Sequence, residues 1–294
     1  MASKRNILFI SFSVLGLFIF YTPLREIVRL ALHERLYAHM ILVPFVSGYF
    51  LFLKRKQISL AVDTSYKAGI ILSLIGIFLF WFEEKNSLGL SQNSRLSLAA
   101  LSTFIFWMGG FVLFYGVRAF KIAAFPLLFL LFMVPIPGQA LATAIYLLTC
   151  GSAEAAYGFF KLTGVPILRE GFSFHLPQLT IEVAEQCSGI NSSVALFVSS
   201  IVAAQLFLRT GWKKVVLVLS IFPITILKNG MRIVTLTLLG AYVDPNILSG
   251  DLHRKGGIPF FIIALAMLAP VLWYLRKTEK KKIRTEDKGP RTKY

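Results

Sequence analysis

The chain has 294 residues, of which 56% are hydrophobic and only 15% are charged, and its mean hydropathy is +0.71. A composition this apolar lies outside the range of ordinary water-soluble domains, so it excludes that class and predicts a polytopic membrane protein. The net charge of +17 is of the kind that nucleic-acid-binding proteins carry. The basic residues lie mainly between and after the apolar runs, which membrane topology explains better, and no nucleic-acid partner is predicted.

Eight apolar runs are long enough, or nearly long enough, to cross a hydrocarbon core of about 30 Å. The first run is followed by many others and lacks a small-residue cleavage site, so we interpret it as a retained anchor. The sequence therefore predicts an all-α bundle of about eight transmembrane helices. One membrane domain is predicted over residues 1–275 and a basic cytoplasmic tail over residues 276–294. The eight runs lie at residues 7–22, 39–53, 68–82, 97–117, 121–136, 189–208, 215–240 and 258–275.

The distribution of lysine and arginine predicts the orientation of the chain. If the N-terminus is cytoplasmic, then the basic cluster at residues 54–56, Lys213, Lys214 and the C-terminal tail all lie on the cytoplasmic side. Both termini are therefore predicted to be cytoplasmic, in a multi-pass protein of the inner membrane. The basic tail is predicted to be solvated and to contact the anionic headgroups of membrane lipids.

Three apolar stretches follow Lys121, but the chain needs only two crossings to return to the cytoplasmic side at Arg209. The stretch at residues 139–160 contains Glu154 and follows a proline-rich break, so we predict that it lies at the outer interface or packs on the bundle. Residues 161–186 are then extracytoplasmic. The alternating sequence FSFHLPQLTIEV within them predicts a short β-hairpin with its turn near Pro177.

The predicted outer surface carries a cysteine, Cys187, immediately before an apolar run. A helix that begins there would present unpaired N–H groups and a partial positive charge to the thiol, which favours a nucleophilic cysteine. The second cysteine, Cys150, is interpreted as a small buried residue. A disulfide between the two is the alternative.

Lys228, Asn229 and Arg232 interrupt the seventh apolar run. Charges inside a membrane are costly enough to be functional candidates. At a rise of about 1.5 Å per residue, Arg232 is predicted near the outer boundary, level with Cys187, and Lys228 one turn deeper. The alternative for Lys228 is a side chain that extends towards the interface.

His253 precedes the last apolar run, so a thiol, a guanidinium and an imidazole are predicted at the outer ends of three consecutive spans. Cysteine and histidine together can perform acyl transfer, and an arginine can stabilise an oxyanion or hold a carboxylate. The four histidines lack the spacing of metal ligands, so no metal is predicted. A transporter would need polar residues deep in several spans, whereas here the charges collect at the outer edge.

In order and spacing these residues resemble the exosortase and archaeosortase family of membrane cysteine transpeptidases. The resemblance rests on AEQCSGI at residues 184–190, NGMRI at residues 229–233, and His253 followed four residues later by Gly257. Segments YAHMILVP at residues 37–44 and FMVPIP at residues 132–137 support it. The resemblance implies that Cys187 is the nucleophile and that Arg232 and His253 are the other catalytic residues. Many members have tryptophan after the glycine, where this chain has Ile258.

The resemblance also implies a substrate and a reaction. The substrates would be exported proteins with a C-terminal motif, typically Pro-Glu-Pro, followed by a transmembrane helix and a basic tail. Cleavage at the outer face would form a thioester on Cys187, which a surface lipid, a polysaccharide amine or water would resolve without a cofactor. The alternative is a noncatalytic membrane scaffold for surface polysaccharide assembly. The residues predicted to bind substrate are Glu185, Lys228, Asn229 and Arg254.

Overall fold

The computed structural model describes residues 2–85, 89–248 and 257–286. The structure is 83% helical, which confirms the predicted all-α membrane fold. It divides into two compact units, residues 1–141 and 142–294. The single domain over residues 1–275 stays a prediction.

The first unit begins with helices α1 (Ala2–Ile19) and α2 (Tyr21–His33), which meet at a bend of 81°. A 3₁₀ segment, Arg35–Ile41, leads into α3 (Val43–Leu60), and α4 (Tyr66–Lys85) follows. Helical structure then continues through α5 (Gln92–Phe129) and a 3₁₀ turn, Leu130–Met133.

Gly116 breaks α5 into two parts. Its φ of +84° and ψ of 168° are not helical, and a Cβ there would lie 2.4 Å from the carbonyl oxygen of Asp63 in the α3–α4 loop. Only glycine fits this conformation and this close approach. The amide of Asp63 also donates to the carbonyl of Tyr115, at 3.1 Å, so the break is held against the loop.

The two parts of α5 pack on different helices. In the second part, the carbonyls of Ile122 and Pro126 accept hydrogen bonds from Lys54 and Ser47 of α3, respectively, so α3 and this part are antiparallel. In the first part, Leu113 packs on Gly69 of α4 and Phe106 packs on Gly76, so these segments are antiparallel too. The break at Gly116 therefore separates a part of α5 that packs on α4 from a part that packs on α3. This arrangement agrees with the separate apolar runs predicted at residues 97–117 and 121–136.

Among the described residues, six helical segments are long and apolar enough to cross a membrane, or seven if the bent pair α1–α2 is one span. The longest, Gln92–Met133, contains the break at Gly116. Helix α6 (Gly138–Thr163) is not one of these segments, in agreement with the interpretation of residues 139–160 as a helix that does not span. The total of eight spans and the orientation of the termini stay predictions.

In the second unit, α6 is followed by a three-stranded antiparallel sheet of strands β1 (Leu168–Glu170), β2 (Ser173–His175) and β3 (Thr180–Glu182). The predicted hairpin is confirmed: Phe174 pairs with Ile181, and the amide of Leu176 donates to the carbonyl of Leu179 across the turn. The structure adds β1, which the alternation did not predict. Phe174 is fully buried and packs with Phe160 of α6 in one hydrophobic core.

The described residues of this unit also form α7 (Ile190–Phe207), α8 (Gly211–Leu219), α9 (Ile221–Tyr242), a 3₁₀ turn (Pro245–Leu248) and α10 (Gly257–Glu286). Leucines and alanines of α7, α8 and α10 form a second hydrophobic core with the start of α9. Helix α10 runs past residue 275, and its buried Glu279 accepts hydrogen bonds from the backbone amides of Arg209 and Thr210. Residues 276–286 thus continue the last helix and do not begin a separate segment.

Candidate active site

Cys187 lies on a tight turn between β3 and α7. Residues Glu185–Cys187 form a 3₁₀ turn, in which the amide of Cys187 donates to the carbonyl of Ala184 at 2.8 Å. Gly189 then takes a left-handed conformation, with φ of +71°, and α7 begins at Ile190. The prediction that a helix starts directly after the cysteine is confirmed, so the thiol belongs to a residue just outside the positive end of α7.

Asn229 holds this turn from α9. Its side chain is fully buried, and its Nδ2 atom donates to the carbonyl of Cys187 at 2.6 Å and to Oγ of Ser152 in α6 at 2.9 Å. One carboxamide therefore connects the turn, α6 and α9. Asn229 was predicted to bind substrate, but the structure directs its side chain towards the protein's own main chain.

Gly189 leaves the space that this carboxamide needs. A Cβ at Gly189 would lie 2.8 Å from Oδ1 of Asn229 and 3.3 Å from Nζ of Lys228. Distances below 3.0 Å require a neighbour to move, and the left-handed backbone disfavours a side chain as well. Glycine thus allows α9 to approach the start of α7 closely.

Lys228 is directed into the protein and not towards the interface. It is only 2% exposed, and its Nζ atom donates to Oγ of Ser192 at 2.6 Å. Ser192 in turn donates to the carbonyl of Gly189 at 2.9 Å, in the first turn of α7. Lys228 thus joins α9 to the same helix start that follows Cys187.

Cys187 and Arg232 line one cavity with a volume of about 210 Å³. Both residues are partly exposed. Glu182 and Thr237 add polar groups to the wall. The apolar part of the wall consists of Ile181, Val183, Ile233 and Leu236, so β3, the cysteine turn and α9 together build the cavity.

Glu182 is the site residue that sequence reasoning missed. Glu185 was predicted to bind substrate, but it lies exposed on the 3₁₀ turn and is not among the residues that line the cavity. Glu182 ends β3 and lines the cavity with Cys187. The alternation of Thr180, Ile181 and Glu182 is the signal that assigns Glu182 to the strand.

The remaining predicted site residues are placed as follows. His253 and Arg254 lie outside the described residues. Cys150 is a partly exposed residue of α6, and both cysteines are free thiols, so the disulfide alternative is wrong. Within the described part of the chain, no cluster of three histidine, cysteine or acidic side chains is arranged to hold a metal ion.

Arg169 fastens the β-sheet to α6. Its Nη2 atom donates to Glu154 at 2.6 Å, and its guanidinium lies 5.3 Å from the ring centre of Tyr157 and 5.6 Å from that of Phe174. The hydrogen bond from Arg169 lowers the pKa of Glu154 below its ordinary value and raises the pKa of Arg169 itself. Because β3 forms one wall of the cavity, this contact helps to fix that wall.

The arrangement suits acyl transfer. A thiolate is a strong nucleophile towards a carbonyl carbon, and a guanidinium beside it can donate two N–H groups to the oxygen that becomes negative. The cavity thus combines a nucleophile with a hydrogen-bond donor of the kind that stabilises an oxyanion.

The comparison with protein families agrees with this geometry. The family described as Transmembrane exosortase (Exosortase_EpsH) matches residues 31–270, which include Cys187, Arg232 and His253. No curated protein and no solved structure matches the chain. The match covers far more than half of the chain, and the protein therefore belongs to the transmembrane exosortase family.

Proposed function

We propose that this protein is a membrane cysteine transpeptidase that cleaves the C-terminal sorting signals of exported proteins. The observation that carries the proposal is the shared cavity of Cys187 and Arg232, two polar residues from separate elements of a largely apolar chain. Family membership supports the same activity. The substrates would end in a short motif of the Pro-Glu-Pro type or a variant, a transmembrane helix and a basic tail.

In the first half of the reaction, the sulfur of Cys187 attacks the carbonyl carbon of the scissile peptide bond. A C–S bond forms, the C=O electron pair moves to the oxygen, and the N–H groups of Arg232 stabilise the resulting oxyanion. The C–N bond then breaks, and the leaving amine takes a proton. We assign that proton transfer to His253, which accepts the proton of the thiol and delivers it to the amine.

In the second half, an acceptor resolves the thioester. An amine of a surface lipid or polysaccharide, or a water molecule, attacks the thioester carbon and loses a proton to His253. The C–S bond breaks and the thiol of Cys187 is restored. The exported protein leaves with a new amide bond or a free carboxylate, and no cofactor takes part.

The cavity wall supports the choice of substrate. Its apolar residues, such as Ile181 and Val183, suit a proline ring, and the guanidinium of Arg232 suits the carboxylate of a glutamate. Arg254 and Glu185 are proposed to contact the substrate outside the cavity. The proposed location is the inner membrane, with the cavity on the extracytoplasmic side, where exported proteins arrive.

The test is coexpression with an exported reporter that ends in the motif, a transmembrane helix and a basic tail. The parent chain should shorten the reporter, Cys187→Ala should leave it uncut, and Cys150→Ala should cut it normally. Hydroxylamine, which attacks thioesters, should release the reporter as a hydroxamate from the parent enzyme. Normal shortening by Cys187→Ala would favour the noncatalytic scaffold and end the proposal.

A second variant tests the role of Arg232. Arg232→Lys keeps the positive charge but loses the planar pair of donors. Removing one oxyanion donor in other acyl-transfer enzymes costs about 2.7–4 kcal/mol in the barrier, so the processing rate should fall by a factor of about 100–1000. Near-normal processing by Arg232→Lys would show that a point charge is sufficient.

A further inference from the structure

The carboxamide of Asn229 has a fixed orientation. The carbonyl oxygen of Cys187 can only accept a hydrogen bond, so the amide group that approaches it at 2.6 Å must be Nδ2. Ser152 fits this assignment, because its hydroxyl accepts from the same Nδ2 atom. The oxygen Oδ1 then faces Gly189 and is buried, without a hydrogen-bond partner among the residues that the structure describes. A buried acceptor without a hydrogen bond costs free energy of folding. The two hydrogen bonds of Nδ2 therefore hold the carboxamide in an orientation that is unfavourable for Oδ1.

Asn229 also lies on the helix that carries Arg232. The two residues are three positions apart in α9, a spacing that places side chains on neighbouring positions of one helical face. Arg232 lines the cavity, while Asn229 binds the main chain of the residue that supplies the thiol. The same rigid turn of α9 thus holds both the guanidinium and the carbonyl of Cys187.

We propose that Asn229 is a positioning residue, which fixes the thiol of Cys187 relative to the guanidinium of Arg232 through its hydrogen bond to the Cys187 carbonyl. This inference rests on the proposed function, because positioning the thiol matters for catalysis. The contacts that support the inference, however, lie within the protein and involve no substrate. It replaces the role in substrate binding that the sequence predicted for Asn229. Without the hydrogen bond, the 3₁₀ turn is held only by its local backbone bonds and by the packing around it.

The position of the thiol can be measured without any substrate. Iodoacetate and iodoacetamide are nearly the same size and alkylate thiolates by the same displacement of iodide, but iodoacetate carries a negative charge. The alkylation ratio is the rate with iodoacetate divided by the rate with iodoacetamide. A guanidinium about 5 Å from the carboxylate of iodoacetate should raise this ratio by roughly fourfold or more. The ratio therefore reports the alignment of Cys187 with Arg232, and it should be lowest in Arg232→Gln.

The experiment uses the full-length protein in detergent, with Cys150→Ala as the background so that only Cys187 reacts. Asn229→Ala should lower the alkylation ratio towards that of Arg232→Gln and should reduce reporter processing by about tenfold or more, the scale of one lost buried hydrogen bond. The matched control is Thr225→Ala, a truncation of a buried residue one turn earlier in α9, whose hydroxyl has no hydrogen-bond partner within the described part of the chain. Thr225→Ala should keep the parent ratio.

The outcomes separate the two proposals. An unchanged ratio in folded Asn229→Ala, or an equal fall in Thr225→Ala, would refute the positioning role. If Asn229→Ala does not fold, Asn229→Leu decides, because leucine fills a similar volume but cannot donate to the Cys187 carbonyl: a lowered ratio supports positioning and the parent ratio contradicts it. If the parent chain cuts no reporter, the proposed function fails, yet the alkylation ratio still tests Asn229.

Discussion

Replacing Gly189 with alanine should destabilise the protein more than the same change at a glycine of equal backbone conformation. Gly164 provides the match, because its φ is also +71° and nothing lies within 4 Å of the position of a Cβ. A residue with a Cβ in the left-handed conformation destabilises the folded state by about 1–2 kcal/mol. Alanine also lowers the conformational entropy of the unfolded chain, which stabilises the protein by about 0.4–1 kcal/mol. Gly164→Ala should therefore reduce the free energy of unfolding by about 1.6 kcal/mol or less.

Gly189→Ala carries the same backbone terms and adds a steric one. Its Cβ would lie 2.8 Å from Oδ1 and 3.1 Å from Cγ of Asn229. That carboxamide is fully buried and is held by two hydrogen bonds, so it cannot move away without losing its contact with Cys187. Overpacking of this kind costs about 1–3 kcal/mol, which is the expected difference between the two variants.

The difference can be measured by unfolding both variants in mixed micelles with increasing dodecyl sulfate, followed by tryptophan fluorescence. Reporter processing provides a second measurement, which should fall in Gly189→Ala and stay near the parent level in Gly164→Ala. Equal losses of stability in the two variants would refute the steric argument. They would show that the backbone conformation alone decides the cost.

Three further predictions concern other contacts of the second unit. The pKa of Glu154 is lowered by the hydrogen bond from Arg169, so their ion pair should stabilise the protein above pH 4.5 and lose this effect as the pH falls below it. Because Glu154 is largely exposed, the effect should be below about 1 kcal/mol and absent in Glu154→Gln, as measured by unfolding at several pH values. Glu279→Ala should cost about 2–4 kcal/mol in unfolding, because two backbone amides of the α7–α8 loop lose their acceptor. An impermeant thiol reagent should label Cys187 in intact cells but a cysteine at Lys214 only after permeabilisation, and the reverse pattern would invert the proposed topology.

The spans and the pairing of Cys187 with Arg232 could be anticipated because both follow from the membrane itself. A hydrocarbon core sets the length of each apolar run, which is why α7 and α9 lie where the hydropathy predicts them. Charged groups are costly in that medium, which directed attention to the only arginine in the seventh run. The helical rise then placed Arg232 level with Cys187, and the shared cavity agrees with that placement.

The partners of the neighbouring polar residues could not be predicted in this way. Asn229 and Cys187 are 42 positions apart, and Lys228 and Ser192 are 36 apart, so no local period relates them. Snorkelling and burial are equally compatible with the sequence around Lys228. The packing of α9 on the start of α7 decides between them, and that packing depends on the missing side chain of Gly189.

The sequence also could not predict which of the two acidic residues before Cys187 lines the cavity. Glu182 and Glu185 are three positions apart, and either could have been assigned to the site from composition alone. Glu182, at the end of β3, is among the residues that line the cavity, whereas Glu185, on the 3₁₀ turn, is not. The point at which a strand changes into a turn is set by tertiary contacts, such as the bond from Asn229 to the turn, and not by residue type.

These contacts also explain why three polar side chains occur together in α9, where each is costly. Lys228 donates to the first turn of α7 and Asn229 donates to the turn that precedes it, so both are directed at the protein and not at the membrane. Their bonds fix the beginning of α7 against α9 at the level of the thiol. Arg232, one turn further along α9, is then placed in the cavity wall by a helix that is already anchored. The first two residues thus provide the rigid frame that a precisely placed oxyanion donor requires, and the third lines the cavity with the thiol.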